Sequence, residues 1–127
     1  MQRTKNRELG DLGEEIACRY LSERGFTVLE RNYWKPWGEL DIVASASGGL
    51  TFFEVKTVSR EIGSRVTVEP EDNLHPEKLK RLGRAVQSYL WERKVGDDTP
   101  WSLEALCVYL DMEGKTAKVQ RIKDLSY

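Results

Sequence analysis

Histidine is nearly absent from this sequence. The single one, His75, leaves no material for a Ser-His-Asp triad or a histidine-rich metal site, so any catalysis must lean on carboxylates and lysine. Cysteine is almost as scarce. Cys18 and Cys107 stand far apart with no CxxC pair, which excludes both a zinc site and a disulfide framework and predicts two reduced structural thiols. No apolar run approaches the roughly 20 residues that span a bilayer. The basic start MQRTKNRELG is not followed by an apolar stretch, as a secretory signal would be. The expectation is a cytoplasmic protein without a membrane. Nor is there an excess of one charge: 20 basic residues face 21 acidic ones, for a formal net charge of -1. Global charge therefore does not announce a polyanion partner, although cations segregated onto one face would still bind one.

What is present reads as one domain over residues 1–127, with no repeat or linker. Residues 7–24 carry apolar residues at helical spacing (Leu9, Leu12, Ile16, Tyr20, Leu21), ended by Gly25. Phe26–Glu30 reads as a short strand and Arg31–Trp37 as an aromatic, basic loop. Gly38–Ala44 and Leu50–Thr57 read as a β-hairpin turned at Ser47-Gly48-Gly49. Val66-Thr67-Val68 suggests a short strand. Pro76 opens a second helix to about Lys94, with Leu79, Leu82, Val86, Tyr89 and Leu90 inward and His75 as a turn residue before it. Leu103–Leu110 is apolar enough for a central strand, and Lys115–Ile122 is polar enough for an edge. The order αβββαββ makes an α/β fold, with helices flanking a mixed sheet.

Side chains alternate faces along a strand, so Glu39, Asp41 and Val43 should share one face, opposite Leu40, Ile42 and Ala44. On the return strand Phe52, Glu54 and Lys56 should share a face. With an even turn at Gly48-Gly49, Asp41 and Lys56 become direct partners, Glu54 lies diagonally, and the two carboxylates and the lysine converge. Taken alone, the hairpin is explained better by a solvated cross-strand salt bridge. The alternative is a magnesium or manganese site, in which a divalent cation relieves the carboxylate repulsion. Asp41 and Glu54 would then be ligands and the Val55 carbonyl a third. Glu14 on the first helix lies at the rim of the apolar stripe, near Gly10 and Gly13, and is a candidate outer ligand, directly or through water. Lys56 would position the attacking water or neutralise a phosphate.

The blocks Gly13-Glu14…Ala17…Tyr20-Leu21, Arg31-Asn32, Gly38-Glu39-Leu40-Asp41 and Phe53-Glu54-Val55-Lys56 resemble the YraN-type UPF0102 family, over about Gly10 to Leu90. That family belongs to the PD-(D/E)XK nuclease superfamily and is similar to Holliday-junction resolvases. The resemblance implies a restriction-endonuclease-like core and a magnesium-dependent site at Glu14, Asp41, Glu54 and Lys56. It departs from the family pattern at Trp34, Pro36 and Trp37, where arginine is usual, in the longer 58–75 segment, and at Glu104 in place of an aspartate.

The function it implies is a DNA endonuclease, acting on branched or structured DNA. Paired cuts would call for a homodimer. Candidate nucleic-acid contacts are Arg31, Asn32, Lys35, Arg60, Lys80 and Arg84, with Arg65, Gln87 and Trp91 nearby in pattern; a solvated helix face explains Lys80 and Arg84 equally well. Trp34 and Trp37 serve equally as a cap on the core. Two further hypotheses stand beside the enzyme: a nuclease-like nucleic-acid-binding module that does not turn over, and a protein-interaction domain using the tryptophan loop.

Overall fold

The computed structural model describes residues 5–60 and 75–125. The elements are α1 (Lys5–Glu23), β1 (Thr27–Lys35), β2 (Gly38–Ala46), β3 (Gly49–Arg60), α2 (Pro76–Glu92), β4 (Trp101–Asp111) and β5 (Thr116–Ile122). The strands form one sheet in the order β1-β2-β3-β4-β5, parallel between β3 and β4 and antiparallel elsewhere. The expected αβββαββ order and mixed sheet are thus observed. The candidate strand at 66–68 lies outside the described residues.

Two apolar layers cover the sheet. On one face α2 buries Leu82, Ala85, Val86 and Tyr89 against Tyr33, Leu40, Val43, Phe52 and Leu103. On the other, α1 buries Ala17 and Leu21 against Ile42, Ala44, Phe53, Leu106, Val108 and Leu110. Residues 103–108 of β4 are all buried, as a strand covered on both faces requires, and β5 is the polar edge. Glu104 is 4% exposed and forms a two-point ion pair with Arg121 of β5, Nε–Oε1 2.5 Å and Nη2–Oε2 3.1 Å. Neither Cys18 nor Cys107 is in a disulfide, as expected.

Four readings are corrected. First, Arg31–Lys35 is not loop but the second half of β1, paired with β2 through Arg31–Ile42, Tyr33–Leu40, Trp34–Glu39 and Lys35–Gly38. Only Pro36 and Trp37 turn the chain. The stretch is rich in the aromatic residues that suit a pleated surface, and Tyr33 is buried there. Second, the β2–β3 turn is Ser47-Gly48, with φ values of 52° and 80°. Positive φ at both central residues is the hairpin turn whose twist matches the strands, and it closes on Ala46–Gly49. The pairing therefore runs two residues out of step with the expected one. It continues to Ile42–Phe53 and brings Asp41 opposite Glu54 rather than Lys56. A slip of two leaves every side chain on its face.

Third, alternation fails at Asp41. Leu40 and Val43 pack under α2, whereas Ile42 and Ala44 pack under α1. Opposite this point Asn32 has φ 54°, and the N–H of Val55 donates to Asp41 Oδ2 at 2.7 Å, so a side chain stands in the ladder. Fourth, Leu12 is 42% exposed and leaves the stripe, whereas Leu9, Ile16, Tyr20 and Leu21 pack on the sheet as expected, with Gly13, Glu14 and Ala17 buried beside them.

Candidate functional site

Beside Asp41 lies an exposed groove of about 860 Å³ between the first half of α1, the start of β2, the second half of β3 and the first turn of α2. Glu14, Asp41, Glu54 and Lys56 all border it, with Glu39 and Val55. The four residues singled out in the sequence therefore border one groove from three elements.

Asp41 and Glu54 form its floor. Their carboxyl groups are in hydrogen-bonding contact, and burial followed by the Glu54 charge pushes the Asp41 carboxyl up to about 8. The Val55 N–H works the other way, stabilising the charged form. Two carboxylates this close keep a proton between them or need a cation to replace it. Lys78 partly supplies that cation, with its Nζ 2.7 Å from Glu54 Oε1. Sequence reasoning missed Lys78. The available signal was its place four residues before Leu82 and eight before Val86, in line with the buried stripe of α2. Lys56 borders the same groove, and no ion pair holds it among the described residues.

Glu14 is only 9% exposed. Its Oε1 accepts from Asn32 Nδ2 at 2.9 Å and Arg31 Nε at 3.2 Å. Arg31 also donates to Glu15 at 2.7 Å, holding that carboxyl below its usual range. Arg31 and Asn32, expected on nucleic acid, are thus placed on Glu14, and the left-handed backbone at Asn32 aims its amide there. Gly13 brings α1 close enough for this: a Cβ at that position would lie 1.9 Å from Thr57 Oγ1, whereas one at Gly10 would meet nothing within 4 Å. The two glycines should therefore respond oppositely. Gly10→Ala should raise stability by up to about 1 kcal/mol, and with it the melting temperature, through helix propensity. Gly13→Ala should lower stability by about 1–3 kcal/mol through overpacking, with a matching loss of the Glu14 contacts. Thermal unfolding of the two variants checks this, and a stabilised Gly13→Ala would contradict the close approach.

The remaining candidate contacts are dispersed. Lys35 pairs with Glu92 at 2.6 Å. Lys80 and Arg84 are exposed on α2, together with Gln87 and Trp91. Arg60 ends β3, and its side chain lies outside the described residues, as does Arg65 altogether.

Among the described residues no three Asp, Glu, His or Cys side chains gather as a ready-made ion cage. The donor chemistry nonetheless suits a hard divalent cation. Asp41 and Glu54 offer two adjacent carboxylates, one carrying a proton that an ion would displace, and the groove is open enough for the waters magnesium retains. Glu14 stands in the same groove, already occupied by Arg31 and Asn32, which suits contact through water.

The family model described as uncharacterised protein family UPF0102 matches residues 13–121. A UPF0102 protein of Syntrophomonas wolfei is 43% identical over 86 residues, 67% of this chain and 70% of its own length. One of Alkaliphilus oremlandii is 30% identical over 119 residues, covering 94% of this chain and 97% of its own. One of Helicobacter pylori is 32% identical over 123 residues, covering 97% and 95%.

Proposed function

This chain belongs to the UPF0102 family, and on that premise we propose that it is a divalent-metal-dependent phosphodiesterase that cuts DNA, with branched or structured DNA as its preferred form. The observation that carries the reading is the adjacent, half-buried Asp41–Glu54 pair, in one groove with Glu14 and Lys56. Bound Mg²⁺ or Mn²⁺ would polarise a phosphodiester oxygen and acidify its own water. Asp41 and Glu54 would hold it, with the Val55 carbonyl, and Glu14 would reach it through water. Lys56, with no competing ion pair among the described residues, orients the attacking water or neutralises charge on the phosphate. Lys80 and Arg84, exposed on α2, contribute phosphate contacts that position the strand without reading bases. Paired cuts need two such sites, which a homodimer would supply. A DNA substrate puts this work in the cytoplasm, and among the described residues no helix is long and apolar enough to cross a membrane.

One observation favours a second reading. Glu54 already holds Lys78, and Glu14 already holds Arg31 and Asn32, so the acidic groups are satisfied without an ion. A nucleic-acid-binding module that does not turn over would look like this. A cleavage screen over duplex, single-stranded, flap and four-way DNA, with and without Mg²⁺ or Mn²⁺, separates the two. The enzyme cuts one of these only with metal. The module binds DNA in a salt-sensitive way, cuts none, and keeps its binding in Asp41→Ala.

Lys78 also makes a separate test. Its ammonium competes with an incoming ion for Glu54, so Lys78→Ala should bind Mn²⁺ more tightly, by about threefold to tenfold if the lost pair contributes about 1 kcal/mol. Isothermal titration of both proteins reads this directly, and unchanged or weaker affinity would argue against a cation at Glu54.

A further inference from the structure

A second open groove, of about 670 Å³, runs from Glu54 to Trp34 at the end of β1 and Trp37 in the β1–β2 turn. Glu39, Glu54 and Lys78 border both grooves, so the two are continuous. The far end is built from Trp34, Trp37, Arg81 and Arg84. We propose that this second groove holds an unpaired nucleic-acid strand, with a base stacked on the Trp34 indole and phosphates on Arg81 and Arg84. This inference rests on the phosphodiesterase reading for where the strand enters, and it narrows the substrate to one with a single-stranded arm beside the cut.

Three observations point to that occupant. Trp34 is 65% exposed on β1, at the edge of the sheet, so the core does not account for it and its ring is open to a stacking partner. Trp37 is fixed beside it: its indole N–H donates to Ser88 Oγ at 2.9 Å, and the Arg84 guanidinium lies 5.8 Å from its ring centroid. Arg81 and Arg84 are exposed on the same side of α2, three residues apart, and no salt bridge engages either among the described residues.

An aromatic face beside unneutralised guanidinium groups complements a base beside its phosphate. A duplex stacks its bases on one another and offers this groove only phosphate. An unpaired strand offers both, and base–aromatic stacking works with any sequence. The position also fits a cut at a branch, because the strand leaving the Asp41–Glu54 groove passes Lys78 and arrives at Trp34.

The test is binding, in EDTA, so that no cleavage occurs. Fluorescence anisotropy compares the full chain, Trp34→Ala and Trp34→Phe on a labelled oligothymidylate of about 15 nucleotides and on a duplex of the same length. The expected result is that Trp34→Ala weakens binding to the single strand about tenfold and to the duplex by less than about twofold, while Trp34→Phe retains most of the single-strand affinity. Equal weakening on both forms, or no change on either, would overturn the proposal and leave the tryptophans to a protein partner. The outcome is separable from the enzymatic reading. A chain that cuts nothing yet shows the Trp34-dependent preference loses only the catalytic proposal. An active nuclease without that preference loses only this one.

Discussion

Glu54→Ala abolishes metal-dependent cleavage, with a loss on the order of a thousandfold, as when a group that stabilises transition-state charge is removed. Asp41→Ala does the same. Glu54 is the more informative position because its loss has a visible structural consequence. Lys78 then loses its ion-pair partner, and Asp41 keeps its Val55 hydrogen bond but loses the partner whose charge raises its pKa. The fold should survive, since Glu54 is not among the residues of either apolar layer. A quantitative cleavage assay on whichever DNA form the screen identifies, alongside circular dichroism, reads both. Full cleavage by Glu54→Ala would end the assignment of this pair to the chemistry.

Asp41→Asn, in contrast, makes the metal-free protein more stable. Asparagine can accept the Val55 N–H through its oxygen and donate to Glu54 through its nitrogen, reproducing the protonated carboxyl without a charge to bury. The sign follows from linkage. The Asp41 carboxyl is pushed up to about 8 in the folded chain, from its ordinary 3.8. The folded state therefore holds a proton that the unfolded state releases. The stabilisation from that proton is complete below pH 3.8 and is lost as the pH rises through about 8. At pH 8 in EDTA the variant should be ahead by on the order of 3 kcal/mol, or roughly 10 °C in Tm, and the gap should close towards pH 4. Added Mg²⁺ should stabilise the unmodified chain increasingly as pH rises, because the ion displaces the same proton, and should do little for Asp41→Asn. Melting curves at several pH values, with EDTA or with Mg²⁺, test both statements. A variant no more stable than the original at pH 8 would mean that the two carboxylates do not strain the fold.

The helices and the central and edge strands follow from local pattern. Leu82, Val86 and Tyr89 recur at helical spacing, Pro76 starts α2, and residues 103–108 are apolar apart from Glu104 because β4 is covered on both faces. That Glu14, Asp41, Glu54 and Lys56 border one groove was legible too. Period-two alternation on an even-turned hairpin keeps Glu54 and Lys56 on one face whatever the exact pairing, so a two-residue error in register cost nothing at the level of the groove.

The sequence by itself determined which carboxylates could meet. Only the tertiary structure decided how they are held. That Asp41 faces Glu54 depends on Ser47-Gly48 taking positive φ; that Arg31 and Asn32 serve Glu14 depends on β1 extending through residues that read as loop. Lys78 reaches Glu54 because the first turn of α2 lies within reach of the middle of β3, an ion pair between residues 24 positions apart. Pattern and propensity act over a few residues along the chain, whereas ion pairs, close helix–strand approach at Gly13 and the break in alternation at Asp41 arise from distant segments competing for the same space.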